Sequence, residues 1–147
     1  MVGLILPDIN ILLYANRADS DRHQIYAEWL GRMLDRAEPL LLADVVVTGF
    51  IRISTHPGVF NPPTPMTEVL GFVDALRRYP NSRVVSSTQA TWRAFTALVA
   101  KDSAIGGKVV TDAYLAALAI SQGARIATRD RGFGRFDKLR WFDPADE

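Results

Sequence analysis

The segment Gly3-Leu4-Ile5-Leu6-Pro7-Asp8 decides the fold class of this chain. It is a short apolar run without polar alternation, which is typical of a strand buried on both faces of a parallel sheet. Proline and aspartate end the run, and Asp8 is suited to cap a short helix over residues 9–16. The chain therefore begins with a strand followed by a helix, the unit from which parallel α/β sheets are built.

The rest of the chain repeats this alternation. Short apolar runs predict further strands at 40–42, 83–85, 124–128 and 139–142. Apolar stripes at helical spacing predict further helices over 23–36, 44–54, 64–79, 88–100 and 110–122. We therefore predict an α/β, three-layer fold with a central parallel sheet of four to five strands flanked by helices. The 147 residues suit a single domain, 1–147.

The composition excludes several kinds of site. The chain has no cysteine, which excludes disulfides, zinc thiolate sites and thiol nucleophiles. Its two histidines, His23 and His56, are too few for a histidine-based zinc site, and we expect both to be structural or surface residues. Any metal would therefore be a hard cation such as Mg²⁺, held by carboxylates.

Charge and hydropathy give broader expectations. The net charge is +1, from 17 basic and 16 acidic residues, so total charge makes no case for nucleic-acid binding. No apolar run reaches the ~20 residues of a membrane span, and the amino terminus lacks the pattern of a signal peptide. We therefore expect a cytoplasmic protein with no membrane contact.

Three aspartates are the candidate catalytic and metal-binding residues. Asp8 and Asp130 follow the first and fourth predicted strands, and Asp112 opens a helix, so all three can face one crevice at the carboxyl edge of the sheet. Each alone is equally suited to cap a helix or form a turn. Two carboxylates ~5 Å apart repel by about 3 kcal/mol at an effective dielectric of ~20, so a cluster favours a divalent cation such as Mg²⁺.

Four segments carry a resemblance to a known family. Residues 7–15 (PDINILLYA), 111–119 (TDAYLAALA) and 127–133 (ATRDRGF) resemble the three acidic motifs of PIN domains. Residues 49–60 (GFIRISTHPGVF) are similar to a segment of VapC toxins of mycobacterial type. The order and spacing of these motifs identify the chain as a member of that family.

The resemblance implies a function. Members are Mg²⁺- or Mn²⁺-dependent endoribonucleases, usually homodimers, that cleave RNA with metal-activated water and are neutralised by a cognate VapB antitoxin. It also implies metal-binding and catalytic roles for Asp8, Asp112 and Asp130. The alternative is a PIN-fold protein that binds RNA or antitoxin with weak or no nuclease activity. A phosphohydrolase with Asp8 as nucleophile is disfavoured, because Asp8-Ile9-Asn10 lacks a second aspartate.

One position departs from the family pattern. Many PIN domains carry a glutamate where this chain has Gly49. Asp44, five residues earlier, either substitutes for it or is a plain helix cap, and both readings stay open. If Gly49 vacates a ligand position, Gly49→Glu should tighten Mg²⁺ binding and slightly favour the helix.

Other polar residues are candidates for supporting roles. Thr128 shares a strand face with Asp130 and is suited to orient water or phosphate, or simply ends the strand. Asn10 is suited to bond Asp8 or a phosphate, or to support the first helical turn. The candidate contacts to RNA phosphates are Arg129, Arg131 and Arg52. By contrast, three aromatic residues on helical stripes are predicted to be core rather than base-stacking residues: Trp29, Trp92 and Phe95.

Overall fold

A computed structural model describes residues 3–147. Its five strands form one sheet in the order β3-β2-β1-β4-β5, and every pairing is parallel. The strands are β1 (Leu4–Pro7), β2 (Leu40–Ala43), β3 (Ser82–Val85), β4 (Ala124–Ala127) and β5 (Trp141–Phe142). The predicted parallel sheet of an α/β fold is confirmed, and the fifth strand is shorter than predicted.

Within the described part of the chain, six α-helices flank the sheet. They are α1 (Ile9–Asn16), α2 (His23–Asp35), α3 (Asp44–Ser54), α4 (Met66–Arg78), α5 (Gln89–Lys101) and α6 (Val109–Gln122). Short 3₁₀ helices cover Arg131–Arg135 and Pro144–Asp146. The fourth helix begins two residues later than predicted, because Pro65, with ψ of 142°, is not helical and occupies the N-cap position; the Thr64 hydroxyl accepts a hydrogen bond from Arg17 at 3.1 Å.

The strand order creates a crevice beside β1. The chain moves from β1 to β2 and β3 on one side and then returns to place β4 on the other side. Pro7 is opposite Ala127 in the register, and the amide of Asp8 donates to the carbonyl of Ala127 at 2.9 Å. In such sheets the point where the strand order reverses is where ligands bind, at the carboxyl ends of the strands.

Close packing of α6 on the central strands fixes the helix beside the carboxyl edge of the sheet. The central strands are almost fully buried, and α6 has a run of alanines with no exposure, which lets the helix lie close to the sheet. Gly123 ends α6 in the left-handed conformation, with φ of 67°, and leads straight into β4. The burial of α6 from Ala113 onward and its direct link to β4 therefore fix the helix relative to the sheet.

Of the three aromatic residues predicted to lie in the core, two pack there and one does not. Trp29 is fully buried, and Phe95 is half-buried against the core. Trp92 is 52% exposed, so its prediction as a core residue was wrong. The reason is that only Thr91 and Leu98 of α5 are buried, so the contact with α6 covers a narrow face of the helix.

Two further expectations concern local contacts. The His23 ring lies 2.7 Å from the carbonyl of Tyr14, and the His56 ring accepts a hydrogen bond from the Gly58 amide at 2.8 Å, so both histidines make structural contacts. Across residues 3–147, none of the helices has the length and apolar character needed to cross a membrane.

Candidate active site at the carboxyl edge of the sheet

A cleft of about 560 Å³ opens beside the carboxyl end of β1, between the amino-terminal parts of α1 and α6 and one face of α3. Asp8 and Asp112 are its acidic residues, and Arg52 is its basic one. Most of the remaining wall is apolar, with Ile9 and Leu115 among its residues. The sheet topology therefore brings two of the three predicted aspartates into one cavity.

The Asp8 carboxylate is fixed by its neighbours. It accepts hydrogen bonds from the Ile9 amide at 2.7 Å and from the Thr128 hydroxyl at 2.8 Å, and the residue is only 9% exposed. Burial raises the pKa of Asp8 above its ordinary value. The two hydrogen bonds oppose that rise, and repulsion from Asp130 adds to it. Its orientation is therefore set before any ligand binds.

Thr128 links the elements that meet at this edge. Its fully buried hydroxyl donates to Asp8 and accepts from the Asp130 amide at 3.0 Å. The Asn10 side-chain amide lies 3.3 Å from the same hydroxyl, and its carbonyl oxygen accepts from the Arg129 amide at 3.3 Å. Thr128 and Asn10 thus join the start of α1 to the end of β4, while their roles in cleavage stay predictions.

Asp112 and Asp130 complete the acidic group. Asp112 lies in the first turn of α6, and burial together with repulsion from Asp8 and Asp130 raises its pKa to about 6. Asp130 is exposed, and its carboxylate accepts from the Gly132 amide at 2.8 Å at the start of a 3₁₀ helix. The three carboxylates are therefore close enough to repel one another.

The fit to a metal ion depends on how many ligands the ion needs. Among residues 3–147, no group of three or more histidine, aspartate or glutamate side chains is arranged to hold a metal ion. Mg²⁺, however, usually keeps several waters and is bound by one or two carboxylates. Asp8 and Asp112 supply two in the same cleft, and their repulsion is what a divalent cation relieves. The donor set therefore fits Mg²⁺ or Mn²⁺.

The departure at Gly49 has a structural reason. Gly49 is buried on the cleft wall, and a Cβ atom there would lie 2.5 Å from Cδ1 of Ile9. That Gly49→Glu favours the helix stays a prediction, because the new side chain must displace the flexible end of Ile9 where α1 contacts α3, which opposes the gain in helix propensity. Asp44 is exposed, outside the cleft lining, and its carboxylate accepts from the Val45 amide at 2.8 Å.

The three candidate arginines point in different directions. Arg52 is exposed on the cleft wall. The Arg129 guanidinium pairs with Asp21 at 3.2 Å and lies over the Tyr14 ring at 4.8 Å. Arg131 is exposed, with a guanidinium nitrogen 3.9 Å from Asp146. Proximity to Asp130 in sequence therefore does not bring Arg129 or Arg131 to the cleft wall.

Sequence reasoning missed part of the wall. Ile9, Tyr114 and Leu115 line the cleft but were not among the candidate residues. Leu115 lies one helical turn after Asp112, so the helical period was a signal that could have identified it. Tyr114 and Ile9 are adjacent to motif positions, and only the packing of α1, α3 and α6 shows that they face the cavity.

Comparison with protein families identifies the fold family. The model of the PIN domain matches residues 5–139, which includes all three aspartates. The chain belongs to the PIN-domain family. Among curated relatives of this PIN domain, ribonuclease VapC43 of Mycobacterium tuberculosis is 40% identical over 97% of both chains. Ribonuclease VapC37 of the same organism is 33% identical over 93% of this chain and 94% of the relative. These matches place the PIN domain in the VapC family.

Solved structures agree on the fold. The structure of VapBC2 from Rickettsia felis with promoter DNA has a TM-score of 0.70 and 14% identity, over 96% of this chain and 98% of that chain. FitAcB from Neisseria gonorrhoeae also has a TM-score of 0.70, with 18% identity over 97% and 99%. The predicted PIN-like architecture is therefore confirmed.

Proposed function

We propose that this PIN domain, residues 1–147, is a Mg²⁺- or Mn²⁺-dependent endoribonuclease and the toxin of a VapBC toxin–antitoxin pair. The observation that carries the proposal is that Asp8 and Asp112 line one cleft at the carboxyl edge of the sheet, with Asp130 joined to Asp8 through the Thr128 hydroxyl. The names of the VapC relatives, which are called ribonucleases, support RNA as the substrate. Because RNA is the proposed substrate, we propose that the protein acts in the cytoplasm.

The proposed mechanism assigns each residue a task. Asp8 and Asp112 would hold the metal, and Asp130 would add negative charge to the cluster. A bound divalent ion activates water and neutralises charge that develops on a phosphate. Thr128 holds one oxygen of Asp8 through its hydroxyl, and Asn10 supports Thr128, so the carboxylate keeps one orientation.

Contacts to the RNA backbone are assigned by position. Arg52 is placed to contact a phosphate at the cleft, because it is exposed on the cleft wall. Arg129 and Arg131 are further candidates, although each must first leave its carboxylate partner, Asp21 or Asp146. Surface ion pairs contribute roughly 0–1 kcal/mol, so the exchange costs little for the exposed Arg131, whereas Arg129 would also lose its contact with the Tyr14 ring.

The decisive experiment is a cleavage assay on labelled RNA with EDTA, Mg²⁺ or Mn²⁺. We expect cleavage only with a divalent ion, and none from Asp8→Asn. Asp74→Asn is the matched control, because it removes the same charge from an exposed residue of α4 outside the cleft lining. Cleavage in EDTA, or wild-type cleavage by Asp8→Asn, would overturn the assignment.

A second candidate is a PIN-fold protein that binds RNA or antitoxin with weak or no nuclease activity. The observation that favours it is Gly49, which brings no carboxylate to the wall and leaves its space to Ile9. RNA binding without divalent-dependent cleavage in the same assay would support this candidate instead.

We also propose that a VapB-type antitoxin segment covers the cleft. The cleft combines an apolar wall with two carboxylates, which suits a segment with apolar side chains and one arginine or lysine. Adding the antitoxin should suppress cleavage, and excess Mg²⁺ should not restore it if apolar contacts dominate. A complex that leaves the cleft open and active would contradict this arrangement. We propose a homodimer as the toxin's own assembly, which sedimentation would test.

A further inference from the structure

An aromatic row leads from the cleft to the outer surface of α5. The ring centroids of Tyr114 and Phe95 are 5.2 Å apart, and those of Phe95 and Trp92 are 5.8 Å apart. Tyr114 lines the cleft that contains Asp112, and Trp92 at the other end is 52% exposed. The row therefore begins at the candidate active site and ends in solvent.

The exposure of Trp92 needs an explanation. Tryptophan carries a large apolar surface, and leaving half of it in water forgoes much of the stabilisation that burial gives. The contact with Phe95 supports the indole on one side, while the rest of the side chain remains accessible. This combination of support and exposure is suited to receiving another flat ring.

The charges at the outer end of the row favour an anionic ligand, whereas at the inner end Tyr114 shares the cleft with Asp8 and Asp112. Helix α5 contains no aspartate or glutamate, and Arg93 follows Trp92 directly. Arg52, which lines the cleft together with Tyr114, is also exposed. Within the described residues 3–147, Arg93 and Arg52 form no ion pair. Aromatic rings together with unpaired cations are the usual features of surfaces that bind single-stranded nucleic acid.

We propose that Trp92 stacks on a base of single-stranded RNA whose backbone enters the cleft, with Arg93 contacting an adjacent phosphate. This inference rests on the proposed ribonuclease function and adds a base-binding position outside the acidic cluster. Stacking tolerates any base, because every base has a flat aromatic face. Trp92 therefore strengthens RNA binding without choosing a sequence.

The test measures binding of a labelled uridine 12-mer by fluorescence anisotropy in EDTA, with the oligonucleotide checked for integrity afterwards. Trp92→Leu keeps apolar area but removes the aromatic face, and should weaken binding by roughly 5- to 100-fold. Trp92→Phe should retain most of the affinity. A 12-mer without bases should bind the wild type and Trp92→Leu equally. Arg93→Gln should weaken binding of both oligonucleotides alike.

Val99→Ala is the matched control, because Val99 is an exposed apolar residue two turns along the same helix. It should leave RNA affinity unchanged. Thermal melting checks that each variant is folded, as expected for a half-exposed position. Equal affinity of Trp92→Leu and wild type for the uridine 12-mer would overturn the proposal. The proposal would also be overturned if Trp92→Leu and Val99→Ala both changed the oligomeric state but left RNA affinity unchanged. That result would indicate that this face of α5 is an interface between copies of the chain.

Failure of this inference is distinguishable from failure of the proposed function. If divalent-dependent cleavage persists while Trp92→Leu binds RNA normally, only the stacking role is wrong. If the wild type neither binds the uridine 12-mer nor cleaves RNA, both proposals are wrong.

Discussion

The two sides of the cleft hold their aspartates in opposite ways. On the sheet side, Asp8 is almost buried and is held by hydrogen bonds from Ile9 and Thr128. On the helix side, Asp112 is half-buried, and the causes of its raised pKa are burial and repulsion, with no hydrogen bond to oppose them. The fold therefore satisfies one carboxylate and leaves the other for a ligand to satisfy.

The largest expected effect is on RNA cleavage, and it tests whether the aspartates on the two sides of the cleft serve the same reaction. Asp8→Asn and Asp112→Asn should each lower divalent-dependent RNA cleavage by roughly 100-fold or more, because each removes a charged metal ligand. Single-turnover cleavage rates at saturating Mg²⁺ measure this effect. Loss of activity in only one of the two variants would separate the two sides functionally.

The next effect concerns the hydrogen bonds of the sheet side. Thr128→Val keeps the shape of the side chain but removes the donor to Asp8 and the acceptor for the Asp130 amide. Leaving these buried groups unsatisfied should lower the free energy of unfolding by about 1–3 kcal/mol, measured by urea denaturation. Thr128→Ser retains the hydroxyl and should lose less. Equal stability of the wild type and the valine variant would show that Thr128 is not required to hold Asp8.

On the helix side, removing the charge of Asp112 should raise the free energy of unfolding, whereas Thr128→Val on the sheet side lowers it. The pKa of Asp112 is about 6 in the folded protein, above the ordinary value of 3.8. Between those values the folded state binds more protons than the unfolded state, so stability falls as pH rises through this range and stays lower above it. Because Asp112 is partly solvated, screening reduces the effect to about 1 kcal/mol.

Asp112→Asn should therefore raise the free energy of unfolding by about 1 kcal/mol at pH 7.5 in EDTA, and should matter little at pH 4. Urea denaturation at the two pH values measures the difference. Asp44→Asn, at an exposed position, is the control and should show no such gain. A destabilised Asp112→Asn at pH 7.5 would mean that this carboxylate makes favourable contacts in the folded protein.

The smallest effect tests the contact between α1 and α3. Gly49→Ala gains about 1 kcal/mol in helix propensity but must displace Cδ1 of Ile9, and overpacking costs about 1–3 kcal/mol. We expect a net loss of about 1 kcal/mol. Ile9→Val removes Cδ1, so adding it to Gly49→Ala should recover part of the loss. Additive effects in this double-mutant cycle would contradict the close approach of the two helices.

The predictable parts of the site are those that depend on strand and helix boundaries. Asp8 follows β1, and helices over 9–16 and 44–54 were predicted with the bounds that α1 and α3 have. These boundaries follow from local signals, namely short apolar runs, helical stripes and capping residues. The approach of Asp8 and Asp130 then follows from the rule that parallel strands end at one edge, and Asp112 joins them because α6 begins at that edge before it leads into β4.

The parts that could not be predicted depend on distant neighbours. Trp92 lies on an apolar stripe, but α6 covers only a narrow face of its helix. Arg129 is adjacent to Asp130, yet its guanidinium lies against Tyr14 and Asp21 on the α1–α2 side. The close contact that a larger side chain would make at Gly49 is with Ile9, forty residues earlier. Local periodicity contains no information about such contacts.

The strand order also has a consequence for synthesis of the chain. The first strand, β1, needs β4 as its neighbour, and Thr128, which holds Asp8, comes after β4. A ribosome must therefore complete most of the polypeptide before the first aspartate reaches its final environment. A nascent or truncated chain that ends before β4 has Asp8 but lacks the partner that orients it, so a prematurely terminated product cannot assemble the acidic cluster.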